Sequence, residues 1–318
     1  MRLQLQVGAL CVAASLMTAC SAGSTTGASD ARVADHRKGD GSGVAYQLEL
    51  AHTRAQRLKQ LRAPDGWLSY TGSGRVRAGQ YRVGSDPHSD IVLPAGPAQL
   101  GRLSLDNHGY VYFKAAAGAV VTLNGRRVDQ VTLDSERAGQ RGDRLDIDGR
   151  EFYVVQTGSL FGWRFRDPTA AALKQFDGLE YFPTDPRWRI QAQWQPYATP
   201  RTTILLTSIG TPLTVELLGE AVFSRNGQQY RLQPLLREDG KGLFFLFADR
   251  TSGKESYGGA RYLYTPLPRD GRVTLDFNLA ENPPCALTQH VVCPIAPPEN
   301  RLDVAVNAGE MTYRAAER

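Results

Sequence analysis

The chain has 318 residues, 42% of them hydrophobic, with 37 Lys and Arg against 32 Asp and Glu and a formal net charge of +5. That content supports packed cores, and the length allows two domains of ordinary size after a processed leader. The basic excess is small and its arginines are scattered. No Lys/Arg run or basic helix is present, which argues against a nucleic-acid partner.

Residues 1–6 carry one positive charge, residues 7–17 are uncharged and mostly apolar, and Thr18-Ala19-Cys20 follows. This is the layout of a secretory signal peptide. The apolar stretch is too short for a spanning helix, which needs roughly 20 residues. The cysteine after Thr-Ala resembles a lipoprotein signal, in which Cys20 receives lipid before cleavage. Met17 stands where that pattern usually has Leu, and the alternative is an ordinary signal peptide cut nearby. Ser21 in place of Asp after the cysteine implies, by the same resemblance, the outer membrane with the protein facing the periplasm. The expected organisation is a signal peptide over 1–19, a lipidated flexible tether over 20–43, and the membrane as a partner through the anchor. The tether is small and polar and cannot bury enough surface to offset ordering.

Residues 44–61 predict one helix, with Leu48, Ala51, Ala55, Leu58 and Leu61 as the apolar stripe and Arg54, Arg57 and Lys59 between them. Pro64 ends it. Short β-type runs follow at 80–83, 91–93, 103–105, 111–114, 120–123, 130–133, 144–147 and 152–156, with Asn124-Gly125 as a hairpin turn. Tyr81-Arg82-Val83-Gly84-Ser85, Ser89-Asp90-Ile91-Val92-Leu93, Asn124-Gly125 and Gly142-Asp143-Arg144-Leu145 resemble a forkhead-associated β-sandwich. Phosphothreonine binding is not carried with that resemblance, because Ser85 stands where the family's readers place Arg. Arg102 is the remaining substitute.

A linker near residue 167 leads to a second β region, with runs at 189–194, 202–207, 213–218, 221–225, 229–234, 243–247, 261–264 and 273–277. Asn226-Gly227 and Asp270-Gly271 read as hairpin turns. The fold class expected is mainly β: a helix plus forkhead-associated-like sandwich over 44–165, then an antiparallel sandwich or barrel over 166–318. Cys285 and Cys293 form an even pair in an oxidising compartment and predict a disulfide worth roughly 2.5 kcal/mol. The alternative is a metal site with His290, which lacks a fourth ligand and matches no zinc spacing.

Three segments break the alternating pattern: 248–263, 276–285 and 293–310. They gather a candidate ligand site of Asp249, Glu255, Tyr257, Arg261, Asp276, Asn278, Glu299 and Asn300. Carboxylates near turns suit acid–base work or a hard cation, and Tyr257 with Arg261 suits a carboxylate or sugar. The competing structural reading makes Glu255–Arg261 a cross-strand ion pair, Asp276 a cap for the Asn282-Pro283 turn, and Glu299-Asn300 a brace for the proline-rich loop. These segments, opened by 176–183, resemble the bacterial and archaeal family termed domain of unknown function 1684, and Gly66-Trp67-Leu68 resembles its longer members. Ser256, Ala260, Glu281 and Leu287 depart from its usual residues. The family implies no activity.

No Gly-x-Ser-x-Gly, His-Glu-x-x-His or phosphate loop is present, and His36, His52, His88, His108 and His290 are dispersed. The expectation is therefore an envelope lipoprotein with a ligand-binding or structural role, no cofactor and no metal. The alternative is a hydrolase or metal-dependent enzyme using the C-terminal carboxylates.

Overall fold

A computed structural model describes residues 41–314; the signal, Cys20 and the tether up to residue 40 lie outside the described residues, and residues 41–43, expected in the tether, belong to the first helix. The chain is mainly β, in four sheets, with a long helix α1 (Gly41–Leu61) and a short helix α2 (Ala171–Gln175). No described helix is long and apolar enough to cross a membrane.

The first β region contains eleven strands: β1 (Tyr70–Val76), β2 (Gly79–Gly84), β3 (Ile91–Val92), β4 (Gly101–Leu105), β5 (Val111–Ala115), β6 (Thr122–Leu123), β7 (Arg126–Arg127), β8 (Gln130–Leu133), β9 (Leu145–Ile147), β10 (Arg150–Thr157) and β11 (Leu160–Arg166). They form a six-stranded sheet ordered β1-β11-β10-β9-β6-β7 and a five-stranded sheet ordered β3-β2-β4-β5-β8. Leu103, Phe113, Phe152, Trp163 and Phe165 belong to the core they share. Asn124 and Gly125 both take positive φ, 52° and 75°, so the predicted hairpin turn joins β6 to β7.

Strand β1 is absent from the sequence expectation, because Thr71-Gly72-Ser73-Gly74 reads as loop. Its glycines make room instead. A Cβ on Gly74 would lie 2.5 Å from the Trp163 indole nitrogen, and one on Gly72 would lie 2.9 Å from the same ring. The indole lies across the strand where two side chains would otherwise stand.

The second β region contains β12 (Arg189–Leu206), β13 (Pro212–Arg225), β14 (Gln228–Leu232), β15 (Leu235–Leu236), β16 (Gly242–Phe247), β17 (Arg261–Pro266) and β18 (Arg272–Asp276). One sheet runs β14-β13-β12-β18 and the other β15-β16-β17, all antiparallel, around Phe223, Phe245, Phe247, Leu275 and Phe277. The runs expected at 189–194 and 202–207 are one strand, bulged between Pro196 and Arg201. A bulge interrupts alternation without ending pairing.

The α1 helix forms as expected, but only Leu58 and Leu61 of the expected stripe turn inward. Tyr46, Leu50 and Leu61 are buried, whereas Leu48 is 66% exposed and Ala51 and Ala55 face solvent. Of the basic residues between them, Arg57 reaches Glu310 and Arg54 stacks on Tyr181, while Lys59 stays exposed. The helix therefore packs on the C-terminal half rather than on the sandwich that follows it in sequence.

The two β regions meet through the outer faces of two sheets. On the sandwich side, Tyr70 and Tyr153 point away from its core and pack with Leu246, Tyr262 and Cys293. On the other side, Phe244, Leu246 and Tyr262 alternate with the core residues Phe245, Phe247 and Leu263. Both faces of β16 are thus covered, which is why Leu243-Phe244-Phe245-Leu246-Phe247 shows no polar alternation.

Candidate functional site

The eight residues of the sequence-predicted site lie in separate places. Asp249 and Arg261 form an ion pair of 3.0 Å with both side chains buried. Arg261 also donates to the carbonyls of Val306 and Ala308. The other oxygen of Asp249 accepts from the Thr251 amide and hydroxyl and from the Val306 amide. The partner of Arg261 is thus Asp249, not Glu255, which is exposed.

Asp276 caps the 3-10 turn Phe277–Leu279 through the Asn278 amide, not the Asn282-Pro283 turn, and accepts from the Tyr46 hydroxyl at 2.9 Å. Asn278 completes that network, donating to Tyr46 and to the Asp185 carbonyl. Asn300 is buried and bridges backbone at two places: it accepts from the Gln233 amide and donates to the Gln233 and Leu246 carbonyls. Its exposed neighbour Glu299 lines a void of only 10 Å³ with it, about the size that admits one water. Asp249, Arg261, Asp276, Asn278 and Asn300 are therefore spent on internal hydrogen bonds.

The expected disulfide is not formed. Cys285 and Cys293 are free thiols, with the Cys293 sulfur accepting from the Cys285 amide at 3.2 Å. Hydrogen bonding from Cys293, supported by the Tyr257 hydroxyl at 3.6 Å, lowers the Cys285 thiol to about 7 while the Cys293 thiol is raised. The Cys285 backbone turns in a short 3-10 segment, Pro284–Ala286, that aims its amide at sulfur. His290 turns away to Ser73, 3.1 Å from its Nδ1, and no group of three metal-binding side chains gathers among the described residues.

The open site is a cleft between the β regions. Its larger lobe holds about 930 Å³ and is walled by Trp67, Leu213, Val215, Leu235, Phe244, Tyr262 and Tyr264, with Arg57 and Glu281 at one side. Phe244 stacks on Tyr264 at 4.9 Å between ring centres and meets Tyr262 edge-on at 4.8 Å. A second lobe of about 700 Å³ shares Trp67, Arg137, Gln156, Thr157 and Cys293 with the first and adds Glu136, Arg141, Arg144, Arg164 and Arg166. The turn that carries Arg137 is held to the C-terminal half by Glu238, which accepts from the Gly139 amide at 3.1 Å.

Glu281 is the unusual group of this cleft. Desolvation raises its carboxyl to about 7, against the pull of Arg57 at 3.4 Å, with repulsion from the buried Glu310 adding to the rise. Glu310 shares the same guanidinium at 3.1 Å. A carboxyl so placed can give or take a proton at neutral pH. The cleft was not anticipated from the sequence, since its walls come from α1, β10, β13, β15, β16 and β17. Two local signals point to it: the unbroken apolar run of β16, and Glu281 standing where the family resemblance places Tyr.

Together these features define a mainly β protein with a large, part-apolar cleft between two β regions. The family model described as "Protein of unknown function (DUF1684)" matches residues 174–311. An uncharacterized protein of Haloarcula marismortui with a solution NMR structure is 34% identical, over 44% of this chain and 78% of its own, with a TM-score of 0.37. The chain belongs to the DUF1684 family. No curated protein matches it.

Proposed function

We propose that this is a lipid-anchored envelope protein that binds a small molecule in the cleft between its two β regions. The observation that carries the binding role is the cleft itself. Its larger lobe, at about 930 Å³, lies within the size range of small-molecule sites and has the usual mix of an aromatic wall with a few polar groups. The layout of residues 1–20 supports the anchor and the periplasmic address.

Nile red, a neutral environment-sensitive dye, tests the cleft. With the full chain carrying Cys20→Ser it should shift its emission to the blue, and Val215→Trp, which fills the aromatic lobe, should abolish that shift. Equal signals from both chains, or none from either, would reduce the cleft to a structural junction. The anchor has its own test. Cys20→Ala should move the protein from the membrane pellet to the soluble fraction and end incorporation of labelled palmitate; a variant that still pellets with label would remove Cys20 from the account.

A further inference from the structure

The second lobe of the cleft has a charge pattern that narrows what it holds. Arg164 and Arg166 stand two residues apart on β11 and so share one face of the sheet, the face turned away from the sandwich core. Arg144 lies against Tyr153 on that face, 3.5 Å above its ring. Arg137 and Arg141 add two exposed guanidinium groups at the mouth. Within the sandwich four of these five, all but Arg137, are shared by two carboxylates. Glu136 pairs with Arg144 and with Arg164, the latter at 3.5 Å. Glu151 takes Arg166 at 3.1 Å, Arg144 at 3.5 Å and Arg141 at 3.9 Å. With Asp65 and Glu238 on the rim included, guanidinium groups still outnumber carboxylates.

Two further observations point to an anionic ligand. Arg144 Nη1 and Arg166 Nε are buried with no hydrogen-bond partner among the described residues, and Arg144 Nε has only the Glu151 carboxylate at 3.5 Å. Arg137 makes no ion pair among them either, although it lines both lobes. Buried donors without acceptors are costly, and planar guanidinium groups suit the paired oxygens of phosphate or carboxylate. The aromatic wall lies in the adjoining lobe, with Trp67 and Arg137 common to both, so one elongated molecule can occupy the two.

We propose that the cleft takes an amphiphile with a single anionic head, phosphate or carboxylate, seated at Arg137, Arg144 and Arg166, with its apolar body on Phe244, Tyr262 and Tyr264. This rests on the ligand-binding reading above. The test is calorimetric titration of the full Cys20→Ser chain, below micelle-forming concentrations, with dodecyl phosphate, dodecanoate, dodecylphosphocholine and inorganic phosphate. Dodecyl phosphate or dodecanoate should bind at least about tenfold tighter than the zwitterionic probe, the factor that one charge-assisted contact supplies. Whichever of the two binds tighter identifies the head. The advantage should shrink in high salt.

The double variant Arg137→Gln/Arg141→Gln, at two exposed positions, removes one of the three seat arginines and its neighbour and should cut that discrimination at least about threefold, with Arg144 and Arg166 keeping the rest. Tyr264→Ala should weaken every alkyl probe. Equal binding of anionic and zwitterionic probes, or discrimination undiminished in the double variant, would overturn the anionic head. Inorganic phosphate binding as tightly as dodecyl phosphate would overturn the amphiphile. If Nile red enters the cleft while head-group discrimination is missing, only this inference falls. If neither dye nor amphiphile enters, the ligand-binding reading falls with it.

Discussion

Replacing Asp249 by alanine is expected to destabilise the protein by about 3–5 kcal/mol, the usual cost of stranding one member of a buried ion pair. Arg261 is 1% exposed and Asp249 is its one ion-pair partner among the described residues. Burial pulls the Arg261 pKa down, and Asp249 is what opposes that pull. The substitution also releases Thr251 and the Val306 amide, so the loop after β16 and the C-terminal segment lose one of the ties between them. Urea unfolding measures the loss directly. The double variant Asp249→Ala/Arg261→Met should recover a substantial part of it, because an apolar pair of similar volume avoids the stranded charge. A single-variant loss below about 1 kcal/mol would show that water reaches the guanidinium and that the pair is not a buried one.

Glu281 gives the second large effect, and it depends on pH. Its carboxyl is raised from 4.5 to about 7 in the folded chain, chiefly by desolvation. Between those limits the folded chain holds a proton that the unfolded chain has released. Its contribution to stability is therefore fully present below about 4.5 and is lost as pH rises through about 7. A shift of this size corresponds to about 3 kcal/mol, reduced to about 2 kcal/mol because the side chain is 24% exposed. Glu281→Gln removes the titration while keeping the shape. Compared with the parent chain, it should gain about 2 kcal/mol between pH 5 and pH 8 in thermal or urea unfolding. The comparison cancels groups common to both chains, including His290, whose pKa is lowered by burial. A difference that stays constant across that range would mean that Glu281 ionises normally and that the cleft is wetter at that point.

The helix α1 shows how far a local pattern reaches. Its existence follows from the spacing of apolar residues and from Pro64, but its inward face does not. Of the stripe Leu48, Ala51, Ala55, Leu58 and Leu61, the structure turns Leu58 and Leu61 inward, leaves the first three in solvent, and buries Tyr46 and Leu50 and draws Arg57 inward instead. The difference comes from what the helix meets. The C-terminal half presents Asp276, Glu310 and the Asn282 carbonyl at this surface, and these need donors when water is excluded. No property of the helical segment discloses that its partner is acidic.

The candidate polar residues follow the same division. Their burial-breaking pattern marked Asp249, Arg261, Asp276, Asn278 and Asn300 as unusual, and each is indeed held in a dense network. What the pattern could not give is the partner. Arg261 has Glu255 six residues away in sequence, yet pairs with Asp249 across the β16–β17 connection. Tyr46 closes on Asp276 from 230 residues away.

Turn chemistry and strand alternation by themselves determined much of this protein: a mainly β chain, the positive-φ pairs Asn124-Gly125, Asn226-Gly227 and Asp270-Gly271, and the family signature of its C-terminal half. These are properties of a few neighbouring residues, so they survive without knowledge of the rest. Tertiary structure alone decided which residues of α1 turn inward, that Gly72 and Gly74 belong to a strand under Trp163, that the two cysteines lie side by side as free thiols, and that a cleft opens between the β regions. The physical reason is the same in each case. Burial, desolvation and ion pairing depend on which surfaces exclude water together, and those surfaces come from segments far apart in the chain.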